Sequence, residues 1–237
     1  MRVLSIDSAT EAATCAIIED ERLLGEITFN YKKQHSIILM TIIDNLLKNI
    51  NTDISTIDGF VVSKGPGSFT GLRIGMATVK GLSQGSNKPF ISISTLDALA
   101  YNMAYTTGII CPILDALRGN VYTALYQFEE NNLNRLTDYK IISLEELLAL
   151  VKEQNKSVTF IGDGIKLFKE QIVKYLPEAN FAPTHLNVAR ASALGELGLK
   201  KLLQGKNDNL YNSAPIYIRK SQAEREYEKR TGKSIDE

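Results

Sequence analysis

The residues with the clearest potential for chemistry lie in a glycine-rich segment. Residues 65–73 read Gly-Pro-Gly-Ser-Phe-Thr-Gly-Leu-Arg, between a predicted strand and a predicted helix. A turn of this kind could offer backbone N–H groups to an anion. The segment lacks the Gly-Lys-Ser/Thr of a P-loop, and Gly71 comes one residue late for the dinucleotide-binding pattern. Phosphate binding and a purely structural turn both remain open for it.

Aspartates at predicted strand ends form a second candidate site. Asp7 ends the first strand and is followed by Thr10, while Asp115 and Asp163 occupy analogous places later in the chain. Carboxylate and hydroxyl oxygens there could hold Mg²⁺ and a phosphate. Aspartate is also common as a turn or capping residue. We therefore weigh a vestigial nucleotide cleft containing Asp7, Thr10 and Asp115 against a set of turn residues.

Histidine and cysteine offer little catalytic chemistry. The two histidines, His35 and His185, are far apart, and no His-x-x-x-His or Cys-x-x-Cys spacing occurs. No metal site is predicted, and neither is a nucleophile paired with a histidine. Cys15 and Cys111 lie in apolar runs, as expected for buried free thiols. With no secretory signal and no apolar run of about 20 residues, we expect a cytoplasmic protein that does not enter a membrane.

The charge balance limits the binding partners. Lys and Arg number 27, as do Asp and Glu, so the formal net charge is zero. Proteins that hold nucleic acid by themselves usually carry a basic excess that offsets the phosphates. The composition thus argues against strong direct binding of nucleic acid. The hydrophobic fraction of 44% is that of an ordinary globular protein.

The elements that must position these residues alternate in a regular order. In the first half we predict strands at 2–7, 14–19 and 23–29, a helix at 35–50, a strand at 59–63, a helix from 72, a strand at 90–94 and a helix from 95 to 103, capped by Thr95. In the second half we predict strands at 109–114, 121–128 and 139–142, a helix from Ser143, a strand at 158–161 and helices at 165–175 and 188–204.

Each half thus has three strands, a helix, a strand and a helix, with a further helix closing it. This order predicts an α/β fold of two duplicated subdomains, each with a mixed sheet, and a cleft between them. We place the subdomains at 1–104 and 105–218. Residues 219–237 mix both charge signs with few aliphatic residues, which is typical of a solvated tail.

The predicted second helix carries a stripe of small residues. Gly71, Gly75, Thr78, Gly81 and Gly85 recur every three or four positions and so share one side. A glycine inside a helix costs about 1 kcal/mol relative to alanine. Close approach of another backbone is the usual compensation, and that backbone belongs either to this protein's own sheet or to a partner.

The helix predicted at 35–50 is unusually apolar. One face consists of Leu39, Ile42, Ile43, Leu46, Leu47 and Ile50. Ile37, Ile38 and Met40 fall on its flanks or roughly opposite, where an ordinary surface helix is polar. A second buried face is implied, which favours an interface, although complete burial within its own domain is the alternative.

Several segments together resemble one family. These are residues 1–10, Met-Arg-Val-Leu-Ser-Ile-Asp-Ser-Ala-Thr, then His35-Ser36 at the start of the apolar helix, and Gly-Pro-Gly-Ser-Phe-Thr-Gly-Leu-Arg-Ile-Gly at 65–75. Weaker matches follow in order at 94–96, 115–116, 121–122, 162–164 and 215–219, so that the resemblance spans nearly the whole chain. On these motifs the sequence is similar to the TsaB (YeaZ) family.

The resemblance implies an actin/hexokinase-like (ASKHA) fold and a non-catalytic role. Family members act with TsaD, which transfers a threonylcarbamoyl group to adenosine 37 of tRNAs that read codons beginning with A. They pair with TsaD through their first helices, or with a second copy when TsaD is absent, and TsaE joins the complex. The resemblance implies tRNA contact only through the complex, no tightly bound cofactor in this chain alone, and ATP or ADP with Mg²⁺ at most at the level of the complex.

On this resemblance we assign the partner interface to nine residues. They are His35, Ile38, Leu39, Ile42, Gly71, Arg73, Gly75, Thr78 and Gly81.

The sequence also departs from related patterns. ATPases of the wider fold have a glycine in the first phosphate loop, where this chain has Ser8-Ala9. Leu117 and Asn120 stand where the family has arginine and glutamate. An independent Mg²⁺-dependent ATPase or phosphotransferase using Asp7, Thr10 and Asp115 is the alternative hypothesis.

Overall fold

The computed structural model describes residues 1–31, 35–219, 227, 230 and 231, and all structural statements concern these residues. Within residues 1–31 and 35–219, two β-sheets and six α-helices, with two short 3-10 turns, build the fold. The first half contains β1 (Arg2–Asp7), β2 (Ala13–Glu19), β3 (Arg22–Phe29), α1 (His35–Asn49), β4 (Gly59–Ser63), α2 (Phe69–Ser86), β5 (Phe90–Ile93) and α3 (Thr95–Tyr101). The second half contains β6 (Ile109–Asp115), β7 (Asn120–Thr123), β8 (Tyr126–Glu129), β9 (Asn132–Arg135), β10 (Lys140–Ser143), α4 (Leu144–Glu153), β11 (Val158–Ile161), α5 (Ile165–Tyr175), β12 (Asn180–Phe181) and α6 (Ala191–Leu203).

The first sheet has the order β3-β2-β1-β4-β5 and is covered on both faces. β1, β2 and β3 are antiparallel, whereas β4 and β5 run parallel to β1. Along β1, Leu4 and Ile6 pack into the cluster formed by α1 and α2, and Val3 packs into the cluster that contains α6. Because both faces are buried, the strands read as nearly continuous apolar runs.

The second sheet repeats this plan with additions. Its order is β10-β7-β6-β11-β12, and β8 pairs with β6 and β9. β6 and β7 form an antiparallel pair, and β11 is parallel to β6, as β4 is to β1. Apolar residues of α4 and α5 cover one face. The predicted α/β fold with two mixed sheets is therefore confirmed.

Two helices pack on the sheet of the opposite half. Leu194 and Leu199 of α6 pack with Val3 and Val61 of the first sheet. Leu96 of α3 belongs instead to a cluster with strands of the second sheet. The predicted division at 104/105 thus separates the strands of the two sheets but not the helices that cover them.

Most predicted elements are found, with corrections at their ends. α2 begins at Phe69 rather than at residue 72, because Ser68 caps it by accepting a hydrogen bond from the Gly71 N–H. Ser94, not Thr95, caps α3. The capping box at the start of α4 is present, with Ser143 and Glu146 bonded reciprocally.

Three expectations in the second half need correction. The strand predicted at 121–128 is two strands, because the chain leaves the β7–β10 pairing after Thr123 and β8 pairs with β9. β9 and β12 were not predicted, being short and largely polar or only two residues long. α6 begins at Ala191 rather than at 188. Most of the predicted tail at 219–237 lies outside the described residues.

Candidate functional site

A cleft of about 680 Å³ lies between the two halves. Turns at strand ends form its walls: β1–β2, β4–α2 and β6–β7, with the start of α5 and the segment that follows α6. The lining side chains with polar or charged groups are Thr10, Glu11, Ser68, Asp115, Tyr122, Asp163, Lys166, Tyr217 and Arg219.

The three residues predicted for a nucleotide cleft do not all reach it. Thr10 and Asp115 line the cleft. Asp7 is fully buried beneath the turn, where its Oδ1 accepts the Ala9 N–H at 2.8 Å. Asp7 is therefore not among the cleft-lining residues, and this contact is that of a turn residue.

The glycine-rich loop packs against the β1–β2 turn. The Ser68 N–H donates to the Ala9 carbonyl at 2.6 Å. A Cβ at Gly67 would stand 2.2 Å from that carbonyl oxygen, and one at Gly71 would stand 2.0 Å from the Ser8 carbonyl oxygen. Only glycine fits at these approaches. Two N–H groups that an anion would need, those of Ser68 and Gly71, are thus already bonded within the protein.

The other side of the cleft is acidic. Asp115 Oδ1 accepts the Leu117 N–H at 2.8 Å, and Asp163 Oδ1 accepts the Asp115 N–H at 3.0 Å. Desolvation, with smaller contributions from the charges of Asp115 and Glu11, raises the pKa of Asp163 to about 6. Asp163 is exposed as a residue, but its carboxyl group has many protein atoms around it in the cleft.

These charges do not suit a polyphosphate. Glu11, Asp115 and Asp163 face Lys166 and Arg219, and the Arg219 guanidinium is bonded to the Ala116 carbonyl. Excess negative charge repels anions from a cleft. Within the described chain, no group of three or more His, Cys, Asp and Glu side chains could hold a metal ion. The cleft residues thus fit a bound Mg²⁺ nucleotide poorly.

A strap that sequence reasoning missed crosses the mouth of this cleft. It consists of residues 213–219, and its Ile216 N–H donates to the Lys64 carbonyl at 2.7 Å. The Tyr217 ring packs against Phe69 in a tilted arrangement, with ring centroids 4.4 Å apart. Arg219 then reaches the β6–β7 turn of the other half. The family-like motif at 215–219 was the available signal, but only the fold shows that it bridges the halves.

Three of the residues predicted for the partner interface are buried in the protein's own core. Ile38, Leu39 and Ile42 belong to the cluster between α1, α2 and the first sheet. Side chains packed on their own sheet offer little surface to a partner, so the structure does not support this part of the assignment, which stays a prediction. Complete burial was the alternative for this face of α1.

Two of the predicted interface glycines also face inward. Gly71 packs on the Ser8 carbonyl, and a Cβ at Gly75 would stand 2.5 Å from the Ser8 Oγ. These residues serve the contact with the protein's own β1–β2 turn, and their assignment to a partner surface stays a prediction. The side chain of His35 lies outside the described part of the chain.

The outer sides of α1 and α2 nevertheless form a continuous surface. Ile37 and Met40 of α1 are 71% and 51% exposed. Arg73, Ala77 and Gly81 of α2 are exposed at a spacing of four residues, so they share one side. The two helices lie side by side on one face of the sheet and share one core cluster. We call these five residues the docking face. Thr78 is half-buried at its edge.

The exposed glycines of α2 make no close packing contact with the described residues of this chain. A Cβ at Gly81 or Gly85 would meet no atom within 4 Å. Each glycine at such a position lowers the stability of the helix by about 1 kcal/mol relative to alanine. No packing contact inside the described chain compensates for this loss. For Gly71 and Gly75, which face inward, close packing on the β1–β2 turn compensates for this loss.

No described helix is both long and apolar enough to cross a bilayer.

Comparisons with known proteins agree with the architecture. A family model described as TsaD, tRNA N6-adenosine threonylcarbamoyltransferase, matches residues 22–227. The chain is 32% identical to the tRNA threonylcarbamoyladenosine biosynthesis protein TsaB of Bacillus subtilis (strain 168) over 225 residues, which cover 94% of this chain and 96% of that protein.

Solved structures identify the fold. A Pseudomonas aeruginosa protein described as similar to peptidase YeaZ superposes with a TM-score of 0.78 at 21% identity, covering 92% of this chain and 99% of that one. The ROK hexokinase of Thermus thermophilus superposes with a TM-score of 0.50 at 12% identity, covering 86% and 100%. The predicted actin/hexokinase-like fold is confirmed. The chain belongs to the TsaB (YeaZ) family, which is related in sequence to the TsaD transferases.

Proposed function

We propose that this chain is a non-catalytic subunit for the formation of threonylcarbamoyladenosine at position 37 of tRNAs that read codons beginning with A. It acts by binding and activating a TsaD transferase. The name of the Bacillus subtilis relative supports the pathway, and the match to the TsaD family model supports a complex between related chains.

The docking face carries this proposal. Ile37 and Met40 expose apolar surface on α1, and on the neighbouring helix α2 there is open space above Gly81. Burial of a large aliphatic side chain contributes about 2 kcal/mol. A glycine on the neighbouring helix lets a partner helix come close. Exposed apolar residues on one helix and an open glycine position on the neighbouring helix are what a helix-to-helix interface needs.

The cleft supports a non-catalytic role. Residues 65–71 pack on the Ser8 and Ala9 backbone of the β1–β2 turn, and the carboxylates of Glu11, Asp115 and Asp163 line the cleft. The sequence contains no His-x-x-x-His pair that could hold a catalytic metal. On this proposal the TsaD partner supplies the metal and the contacts to tRNA, consistent with the zero net charge of this chain.

The test replaces exposed residues of the docking face. We expect Ile37→Asp combined with Met40→Asp to weaken binding to purified TsaD from the same source about a hundredfold, because an interface with two buried carboxylates is strongly disfavoured. Leu203→Asp is the matched control, since Leu203 is 63% exposed at the end of α6, which packs on the other face of the sheet.

Binding is measured by calorimetry, and threonylcarbamoyladenosine in tRNA by mass spectrometry in cells that carry each variant in place of the wild type. The double variant should lose both the complex and the modified nucleoside, while Leu203→Asp keeps them. Normal binding and normal modification by the double variant would refute the proposal.

An independent ATPase is the second candidate. The volume of the cleft and the raised pKa of Asp163 favour it, because perturbed carboxyl groups in clefts often mark active sites. Its test is ATP hydrolysis by the purified chain without TsaD, with Asp163→Asn and Asp115→Asn as variants. Absence of turnover eliminates it.

Association with TsaE, self-association without TsaD, and a nucleotide at the level of the complex remain predictions.

A further inference from the structure

Arg73 stands at the edge of the docking face in a fixed position. Its guanidinium carbon lies 4.0 Å from the centre of the Phe69 ring and 5.8 Å from that of Tyr217. Its Nε donates to the Tyr217 hydroxyl at 3.2 Å. The two rings are themselves in contact. An exposed arginine usually samples many rotamers, whereas this one rests on an aromatic platform that restricts it.

No anionic partner for Arg73 is found among the described residues. The ion pairs of this part of the chain involve other cations, and none places a carboxylate within 4 Å of this guanidinium. The Nε is bonded to Tyr217, and the cation is exposed beside Ala77. A guanidinium ordered in advance loses little conformational entropy on binding. Its remaining donors match the two oxygens of a carboxylate.

We propose that Arg73 is the charged anchor of the docking face and pairs with an aspartate or glutamate side chain of the TsaD partner. This inference rests on the proposed function. Tyr217 is the positioning residue, since it holds the Arg73 Nε and stacks on Phe69. The partner surface then carries a carboxylate opposite the start of α2 and apolar side chains opposite Ile37 and Met40.

The positive charge of Arg73 favours a carboxylate as the group that it contacts on the partner. On α1 the exposed Asp44 is already paired with Lys48 at 2.6 Å. On α2 the Lys80 Nζ is bonded to the Ser213 carbonyl at 2.6 Å. Among the described residues of this surface, Arg73 is thus the cation whose charge is available to a partner protein. Arginine is enriched among the residues that dominate interface energetics.

The chain's own tail offers the competing carboxylates. Of the five acidic residues of the tail, which all lie outside the described residues, Glu224, Glu226 and Glu228 are the nearest to Tyr217 in sequence. Our proposal assigns the contact to the partner instead. The full chain with all three glutamates changed to glutamine separates the two sources.

The experiment measures the affinity for purified TsaD at about 0.05 M and about 0.5 M salt. We expect wild-type binding to weaken about tenfold between these salt concentrations, because the pair is electrostatic. Arg73→Gln should bind about thirtyfold more weakly at low salt and show little salt dependence. Arg73→Lys should keep the salt dependence with intermediate affinity, since a lysine has charge but no planar fork.

Tyr217 is tested through the same readout. Tyr217→Phe keeps the ring stack and should lose only a few-fold in affinity, whereas Tyr217→Ala should approach Arg73→Gln. The triple glutamine variant should bind as the wild type does. Circular dichroism and thermal unfolding check that each variant is folded.

The outcomes separate this inference from the proposed function. If the Ile37→Asp, Met40→Asp variant fails to bind but Arg73→Gln binds with wild-type affinity and salt dependence, the anchor is refuted and the docking face stands. If the triple glutamine variant changes the salt dependence as Arg73→Gln does, the tail supplies the carboxylate and the inference is also refuted. Normal binding by the double variant refutes the proposed function itself.

Discussion

The two halves build the same turn at the end of their first strand and use it differently. In each half an aspartate accepts the N–H of the residue two positions on: Asp7 from Ala9, and Asp115 from Leu117, both at 2.8 Å. In each half a glycine-containing loop follows the neighbouring parallel strand. In the first turn Asp7, Ser8 and Ala9 are buried under the loop and only Thr10 and Glu11 reach the cleft, whereas in the second turn Asp115 itself lines the cleft.

The position of the glycines explains the difference. In the first half Gly67 and Gly71 lie on the carbonyls of Ala9 and Ser8, beyond the strand end. In the second half Gly162 and Gly164 lie on the carbonyl of Ile113, which is still within β6. The first loop therefore closes its turn and the second stops short of it. Duplicated backbone geometry thus serves packing in one half and leaves a solvent-exposed, acidic wall in the other.

The closed turn should be the more sensitive to substitution. We expect Gly71→Ala to lower the free energy of unfolding by about 3 kcal/mol, because its Cβ would meet the Ser8 carbonyl oxygen at 2.0 Å and the backbone must move. Gly81→Ala on the outer side of the same helix should raise it by about 1 kcal/mol. Urea unfolding measures both. Equal stability of the two variants would contradict the close packing of the loop on the turn.

The open turn should respond to pH through Asp163. Its folded pKa of about 6 lies above the ordinary aspartate value of 3.8, so the folded state holds this proton more tightly. The stability from protonation is full below about pH 4 and is lost as the pH rises through 6. We expect Asp163→Asn to be more stable than the wild type by about 1 kcal/mol at pH 7, a value reduced for partial exposure.

This difference should vanish below about pH 4, as measured by urea unfolding across the pH range. Asp138→Asn is the control, because Asp138 is exposed and remote from the cleft lining. A gain for Asp163→Asn that does not depend on pH would show that the desolvated carboxyl is not its origin.

The smallest expected effect concerns Leu117 in the open turn. Its φ of +62° is unfavourable for a leucine, and its side chain is 62% exposed. Asparagine adopts this conformation more readily, so Leu117→Asn should raise the free energy of unfolding by about 0.5 kcal/mol. Leu136→Asn, at another exposed leucine, should change it little. A destabilised Leu117→Asn variant would mean that the apolar side chain matters for the cleft.

Much of the fold could be predicted because the strands and helices carry strong local patterns. β1, β4, β11 and α5 were predicted with the bounds observed, since each is a clear apolar run or helical period between turn residues. Helix starts were less accurate. At α2 the glycine-rich segment conceals a helix that a side chain, Ser68, initiates three residues earlier than predicted.

The candidate site was predicted only in part. Thr10 and Asp115 line the cleft as expected, and Asp163 adjoins Asp115. The burial of Ile38, Leu39 and Ile42 on the protein's own sheet could not be predicted from the sequence. A helix that is apolar nearly all round has the same pattern whichever side its own sheet covers.

The sequence by itself determined the fold class, the duplicated order of elements, the buried thiols and the family. These follow from local periodicity, turn chemistry and motifs that adjacent residues carry. Only the tertiary structure decided which glycines of α2 face inward, that Asp7 lies beneath the cleft, and that the strap brings Tyr217 to Arg73 across 144 positions. Such contacts depend on how distant segments pack, and short-range sequence patterns do not encode those distances.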